Sequence, residues 1–359
     1  PTRAASISPT NTPTAPPLPT PTATPERPKR GGSLTHYVPR QPSSWDAQVT
    51  SGLFDLETST NVHNTLLLNT RGNTIECDLC TSWELQDGGK TVVFYLVKNA
   101  TFWKDGKVFT ARDAKYSVEK MMGRVDKVVS PRVGVIKEYV ESVEAVDDFT
   151  LKLHLFRPSA ALPRFLALGF AQMMREGATR EQLKTAPNGT GAFMLGSEVL
   201  GSTTTLVRNP KYFKEGLPYL DQLVMVMMKD TSAIQAAVLT GRVDFARVLV
   251  SPDNMPVLNK LVAEGKLNRT IRACYGLPKG FAMNAKKPPF NDIKVRQAVN
   301  LALDRKGFID ALQDGRGVPV GVFGPGGPSG RTEADYWALP GYGAGAKKAQ
   351  ELEQAKALM

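Results

Sequence analysis

The chain has 359 residues, 42% of them hydrophobic and 22% charged, a globular composition too long for one simple core. No run of 18 apolar residues occurs, so no segment has the length and apolarity of a membrane-spanning helix. The formal net charge is +11, yet Lys and Arg are interleaved with Asp and Glu and no basic run carries interleaved aromatics, which argues against nucleic-acid binding.

Residues 1–30 hold nine of the 26 prolines, many Thr and scarcely a large apolar side chain. Such a segment buries too little surface to offset the entropy of ordering, so it reads as an extended stalk. A stalk of this kind fits an exported domain tethered to a membrane. Order is expected from Gly31-Gly32, and Leu34–Val38 alternates as a strand. Lys90–Lys98 is a β-branched and aromatic strand, and Asp105-Gly106 suits a tight turn beyond it. Thr110 with Asp113 has the spacing of a capping box. The helix it opens carries Ala114, Val118, Met121 and Met122 on one face, with Lys120 expected among charges on the solvated side. Phe149, Leu151, Leu153 and Leu155 alternate with polar residues as a half-buried strand.

A second group of elements follows Gly189-Thr190-Gly191. Thr203–Arg208 and Gln222–Lys229 read as strands, and Asp230 can cap a helix that ends near Gly241. Val243–Ala246 is a short strand after it, and Phe281–Asn284 another. Asp292 caps a helix with Val295, Ala298, Val299, Ala302 and Leu303 on one face, and a further helix falls near Lys306–Gln313. Strands and helices mix irregularly, which indicates α/β units in more than one domain.

Motifs for chemistry are weak. Ser117-Val118-Glu119-Lys120 spells S-x-x-K, but the S-D-N and K-T-G companions of that acyl-transfer site are missing. The third glycine after Gly189-Thr190-Gly191 is misplaced for a phosphate loop. Cys77 and Cys80 form a C-x2-C that leaves a disulfide and two incidental thiols open; no second ligand pair is spaced to make a zinc site. No metal and no cofactor is expected. Trp45, Tyr275 and Phe281 lie in or beside loops, where an aromatic either stacks on a ligand or covers a core.

From Gly31 to Met359 the sequence resembles the family 5 extracellular solute-binding proteins, the dipeptide and oligopeptide receptors of ABC importers. The resemblance rests on Ser82-Trp83-Glu84, Asp87-Gly88-Gly89-Lys90, the stretch Phe102–Asp113, Val146–Thr150, Arg157-Pro158-Ser159 and Gly189-Thr190-Gly191. It continues through Arg208–Tyr212, Thr240–Asp244, Pro289-Phe290, Val295–Ala298 and Asp304-Arg305. It implies an α/β, two-lobed periplasmic-binding-protein type II fold with an extra inserted subdomain. On that pattern the first lobe covers 31–57 and 187–270, the inserted subdomain 58–186, and the hinge and a partial second lobe 271–359. The resemblance implies a monomeric, non-enzymatic, extracytoplasmic receptor, lipid-anchored through its stalk. It would close on a peptide or similar solute and deliver it to a membrane permease pair. A ligand sensor or a surface hydrolase on the same scaffold is the alternative.

Cleft-lining residues expected on this pattern are Trp45, Phe245, Arg247, Tyr275, Phe281, Asn284 and Phe323. Tyr275 falls in the hinge crossover and Phe323 in the loop Val318–Pro325 of the second lobe. Two departures stand out. Ala192 occupies a position where the family usually has Pro, and the sequence stops at Met359 inside a helix that the family continues, so the second lobe is expected to be incomplete.

Overall fold

The computed structural model describes residues 28–50, 52–70, 74–125, 130–246, 255–268, 280–313, 315, 317–321 and 331–359. The chain divides into two compact units, 1–246 and 247–359.

Unit 1 opens with β1 (Ser33–Val38) and α1 (Leu53–Ser59), followed by β2 (Leu67–Asn69), β3 (Ile75–Cys77), β4 (Cys80–Gln86) and β5 (Thr91–Leu96). Then come α2 (Ala111–Met121), α3 (Val133–Tyr139), β6 (Val140–Asp147), β7 (Thr150–Leu155), α4 (Leu162–Leu166) and α5 (Arg180–Thr185). The unit closes with β8 (Phe193–Val199), β9 (Thr203–Arg208), β10 (Gln222–Met227) and α6 (Thr231–Leu239). Two four-stranded sheets result, in the orders β1-β10-β9-β8 and β4-β5-β7-β6. The second is antiparallel throughout, whereas β1 runs parallel to β10, from Ser33 opposite Gln222 to Val38 opposite Met227.

Each sheet has its own core. Leu151, Leu153 and Leu155 on β7 point inward as their alternation requires, joining Val92, Phe94 and Leu96 of β5. Ala114, Val118 and Met121 of α2, with Met122 just beyond it, cover that layer and are almost fully buried. The helix starts where the sequence predicts: the Thr110 backbone N–H donates to the Asp113 carboxylate at 2.9 Å. The other core gathers Val38, Trp45, Val62, Phe193, Leu206, Leu223 and Met225.

The chain passes between the two cores twice, and the two passages touch backbone to backbone. Gly191 N–H donates to Val62 O at 2.8 Å and Phe193 N–H to Asn61 O at 3.0 Å. A Cβ on Gly191 would stand 2.5 Å from both Asn61 O and Val62 O, and one on Gly189 would stand 2.8 Å from the His63 ring. Glycine is needed there for close approach rather than to cradle a phosphate.

Unit 2 contains α7 (Met255–Ala263), α8 (Ile293–Ala302), α9 (Arg305–Gln313), α10 (Glu333–Ala338) and α11 (Ala346–Leu358). Asp292 caps α8 by accepting from Lys294 N–H at 2.8 Å. At the other end of α8, the buried Lys348 of α11 donates to Leu301 O and Leu303 O, each at 3.0 Å. Glu351 pairs with Lys348 at 2.6 Å and accepts from Gly341 N–H at 2.8 Å. No helix among the described residues is long and apolar enough to cross a membrane.

Several local expectations change. Phe281–Asn284 is irregular rather than a strand, and Val243–Ala246 is reduced to a single parallel bridge from Phe245 to His36. Lys120 is not solvated: it is 2% exposed and holds Asp46 at 2.5 Å. Helical periodicity placed it beside charged neighbours, but the partner lies 74 residues away and no local pattern announces it. Cys77 and Cys80 form a disulfide at the turn from β3 to β4, one of the two states the spacing left open.

Candidate functional site

The first sheet presents a recognisable edge. Strand β1 lies between β10 and the Phe245 segment, and both neighbours run parallel to it. Three parallel segments therefore end on one side, at Val38, Met227 and Phe245. In open α/β sheets ligands bind outside the carboxyl ends of parallel strands, where the chain leaves in different directions. Here it leaves β1 into the loop of residues 39–50 and β10 into α6.

Phe245 stands at this edge and is 56% exposed. Its backbone is fixed by Thr35, whose carbonyl accepts from Asp244 N–H at 2.8 Å and Phe245 N–H at 3.3 Å. The Asp244 carboxylate returns the bond, accepting from Thr35 N–H at 2.7 Å. An exposed aromatic on a doubly tied backbone suits contact with a solute. His36, its bridge partner, is half-buried; burial lowers its pKa, against a raising contribution from the Tyr37 carbonyl, which its Nδ1–H reaches at 3.2 Å. His36 is thus mainly neutral at pH 7.

The loop of residues 39–50 is rigidly held. Asp55 on α1 accepts from Arg40 through both guanidinium nitrogens, at 2.8 and 2.9 Å, from Ser43 N–H at 2.9 Å and from Thr50 Oγ1 at 2.5 Å. Burial alone would raise the Asp55 pKa; the Arg40, Thr50 and Ser43 bonds outweigh it and hold the carboxyl below the usual range. Sequence reading missed this hub, because Asp55 looks like any acid in a helix's first turn.

The expected site residues separate. Trp45 is 1% exposed and packs in the core of the first sheet, so of its two open roles the geometry shows core-filling. Phe245 is at the carboxyl edge. In unit 2, Phe281 is 66% exposed and meets Phe308 edge-to-face at 6.3 Å. Asn284 is exposed, and its Oδ1 accepts from Lys286 N–H at 3.0 Å in a local turn. Arg247, Tyr275 and Phe323 lie outside the described residues. Of the loop Val318–Pro325, Val320 is tied by the Tyr342 hydroxyl at 3.0 Å, and 322–325 lie outside the description.

The S-x-x-K pair is committed to the fold. Ser117 Oγ donates to Asp113 O at 2.7 Å and accepts from Met174 N–H at 2.7 Å, while Lys120 is neutralised by Asp46. Among the described residues no three His, Cys, Asp or Glu side chains converge to hold a metal.

Comparison with known proteins gives a consistent likeness. The family described as bacterial extracellular solute-binding proteins, family 5 Middle, matches residues 74–359. The Heme-binding protein A of Haemophilus influenzae is 30% identical over 282 residues, 72% of this chain and 50% of that protein. Di/tripeptide-binding protein 1 of Pseudomonas aeruginosa is 27% identical, over 77% of this chain and 55% of its own length. The ABC transporter-associated periplasmic binding protein DppA of Helicobacter pylori, solved with the peptide STSA, superposes with a TM-score of 0.75 at 24% identity. That match covers 91% of this chain and 66% of the other. The chain thus spans about half the length of the curated relatives it matches.

Proposed function

The chain belongs to the bacterial extracellular solute-binding proteins of family 5, and from that premise we propose that it is the ligand receptor of an ABC importer. The solute it takes is a peptide or a similar small molecule. It binds at the carboxyl edge of β1, β10 and the Phe245 segment, and is released unchanged to a permease pair. The receptor works as an extracytoplasmic monomer, with the Pro/Thr-rich stalk as its tether.

The observation that carries this reading is the exposed Phe245 ring on a backbone clamped at the edge where three parallel segments end. A receptor needs a stiff, partly apolar wall and no reacting group. The wall is present in the Asp55-stapled loop and the Asp244 clamp, and the one nucleophile motif is spent on packing. Relatives named for dipeptides, tripeptides and haem support the solute class. The residues proposed for solute contact are Phe245 on unit 1, and Arg247, Tyr275, Phe281, Asn284 and Phe323 beyond it.

A thermal-shift titration tests the proposal, with a pool of di- and tripeptides in one arm and haemin in the other. A bound solute at a hundredfold excess over its dissociation constant adds about 2.7 kcal/mol of stability. One arm should raise the melting temperature, and the recovered solute should keep its mass. No stabilisation in either arm, or a cleaved peptide, would overturn it.

A further inference from the structure

The stretch of residues 39–50 leaves the carboxyl end of β1, and besides the Asp55 hub it is held by a second set of contacts from the other sheet's domain. Trp45 N–H donates to Leu183 O on α5 at 3.1 Å. The Asp46 carboxylate is paired with Lys120 on α2 at 2.5 Å, both side chains 1% exposed. Gln48 Nε2 donates to Ser117 O on α2 at 3.1 Å and to Gln172 O at 2.9 Å. Arg132, at the start of α3, donates to Thr50 O at 2.7 Å. Five attachments from four separate parts of the inserted domain thus converge on one loop of the neighbouring sheet.

This is more grip than a connecting loop requires. Loops are ordinarily the mobile part of a fold, and one next to a ligand site would lose conformational freedom on binding and weaken affinity accordingly. A buried ion pair is also a poor choice for stability alone, since apolar residues of the same volume often do as well. What an ion pair supplies is one geometry: among the described residues Lys120 has a single anionic partner, and Asp46 is further oriented by Gln48 N–H at 3.1 Å.

The geometry points to the inserted domain as a brace for this loop, with Lys120 as a positioning residue for solute binding although it touches no solute. The loop is held in its binding-ready form before the solute arrives, so the ordering cost is met by folding. The positioning role rests on the carboxyl-edge reading proposed above; the brace itself does not.

Hydrogen exchange of the full chain, read by mass spectrometry, separates the two. Three variants are compared with the wild type: Lys120→Met, the doubly neutral Asp46→Asn with Lys120→Met, and Arg132→Gln. The double variant leaves no unpaired buried charge and guards against simple misfolding. Peptides covering residues 40–50 should exchange about tenfold faster or more in the variants, while those covering β1 and β10 keep wild-type rates. Unchanged loop protection in all three, or equal loss across the whole unit, would overturn the brace. A randomised tripeptide pool, with retained peptides weighed, supplies the other arm. If the wild type retains none, the peptide reading fails and the brace stands or falls on exchange. If the wild type retains peptides and a loop-loosened variant binds them equally well, Lys120 has no positioning role.

Discussion

Replacing Gly191 by Ala probes the joint between the two cores of unit 1. The added Cβ would lie 2.5 Å from Asn61 O and from Val62 O, where van der Waals contact needs roughly 1 Å more. Both obstacles are backbone, so no side chain can rotate away. Relief requires the two passages to separate, which weakens the Gly191–Val62 and Phe193–Asn61 hydrogen bonds. Overpacking of a tight site costs about 1–3 kcal/mol and each lost bond about 1 kcal/mol, so the total is about 3–5 kcal/mol. Gly134 in α3 is the control, because a Cβ there meets nothing within 4 Å. Gly134→Ala should be neutral or stabilise by up to about 1 kcal/mol. Urea unfolding followed by fluorescence reports unit 1 through Trp45, Trp83 and Trp103, once Trp337 of unit 2 is changed to Phe. The unit 1 transition is compared alone, since a two-unit chain need not unfold in one step. A Gly191→Ala midpoint within about 0.5 kcal/mol of the wild type would show that the passages are not held as the hydrogen bonds indicate.

The remaining expectations are more local. His63 is fully buried and burial lowers its pKa to about 4, so the folded state resists the proton that the unfolded state accepts near 6.5. Stability is therefore complete above pH 6.5 and falls by about 3 kcal/mol on acidification to pH 4; a pH series of melts should show this fall shrink in His63→Phe, and an unchanged slope would assign it elsewhere. Asp55 has a depressed pKa, so its contribution holds at neutral pH and is lost only below the ordinary carboxylate range; Asp55→Asn should flatten the acid limb of the same series and increase proteolysis at residues 39–50. Reducing Cys77–Cys80, which closes a loop of only four residues, should cost about 2 kcal/mol or less in the unit 1 transition. Phe245→Ala should leave melting nearly unchanged, because the ring is mostly exposed, but weaken solute binding by about 1–3 kcal/mol in calorimetry; the reverse pattern would make Phe245 a packing residue.

What could be read from the sequence was local and periodic. The Thr110–Asp113 capping box, the alternation on β7 and the Asp230 and Asp292 caps each need only residues within one element, and each recurs in the structure. The family resemblance added the type II periplasmic-binding fold, which the structural comparison supports. Pairings between distant segments were not legible. Asp46 with Lys120 and Gln48 with Gln172 join positions whose local patterns suit a loop and a solvated helix face. Trp45 sits in a loop by sequence, yet that loop is folded under the sheet. Phe281–Asn284 carries a short apolar run and still forms no strand, because such a run suits a strand but supplies no pairing partner.

The most direct test of the receptor reading is native mass spectrometry of the protein after exposure to a pool of di- and tripeptides. A receptor that binds at the Phe245 edge should retain a subset of the pool at one solute per chain. Every retained peptide should keep its starting mass, and retention should fall sharply in Phe245→Ala. Retention of nothing from the pool, the appearance of hydrolysed peptides, or equal retention by Phe245→Ala would contradict solute capture at this edge.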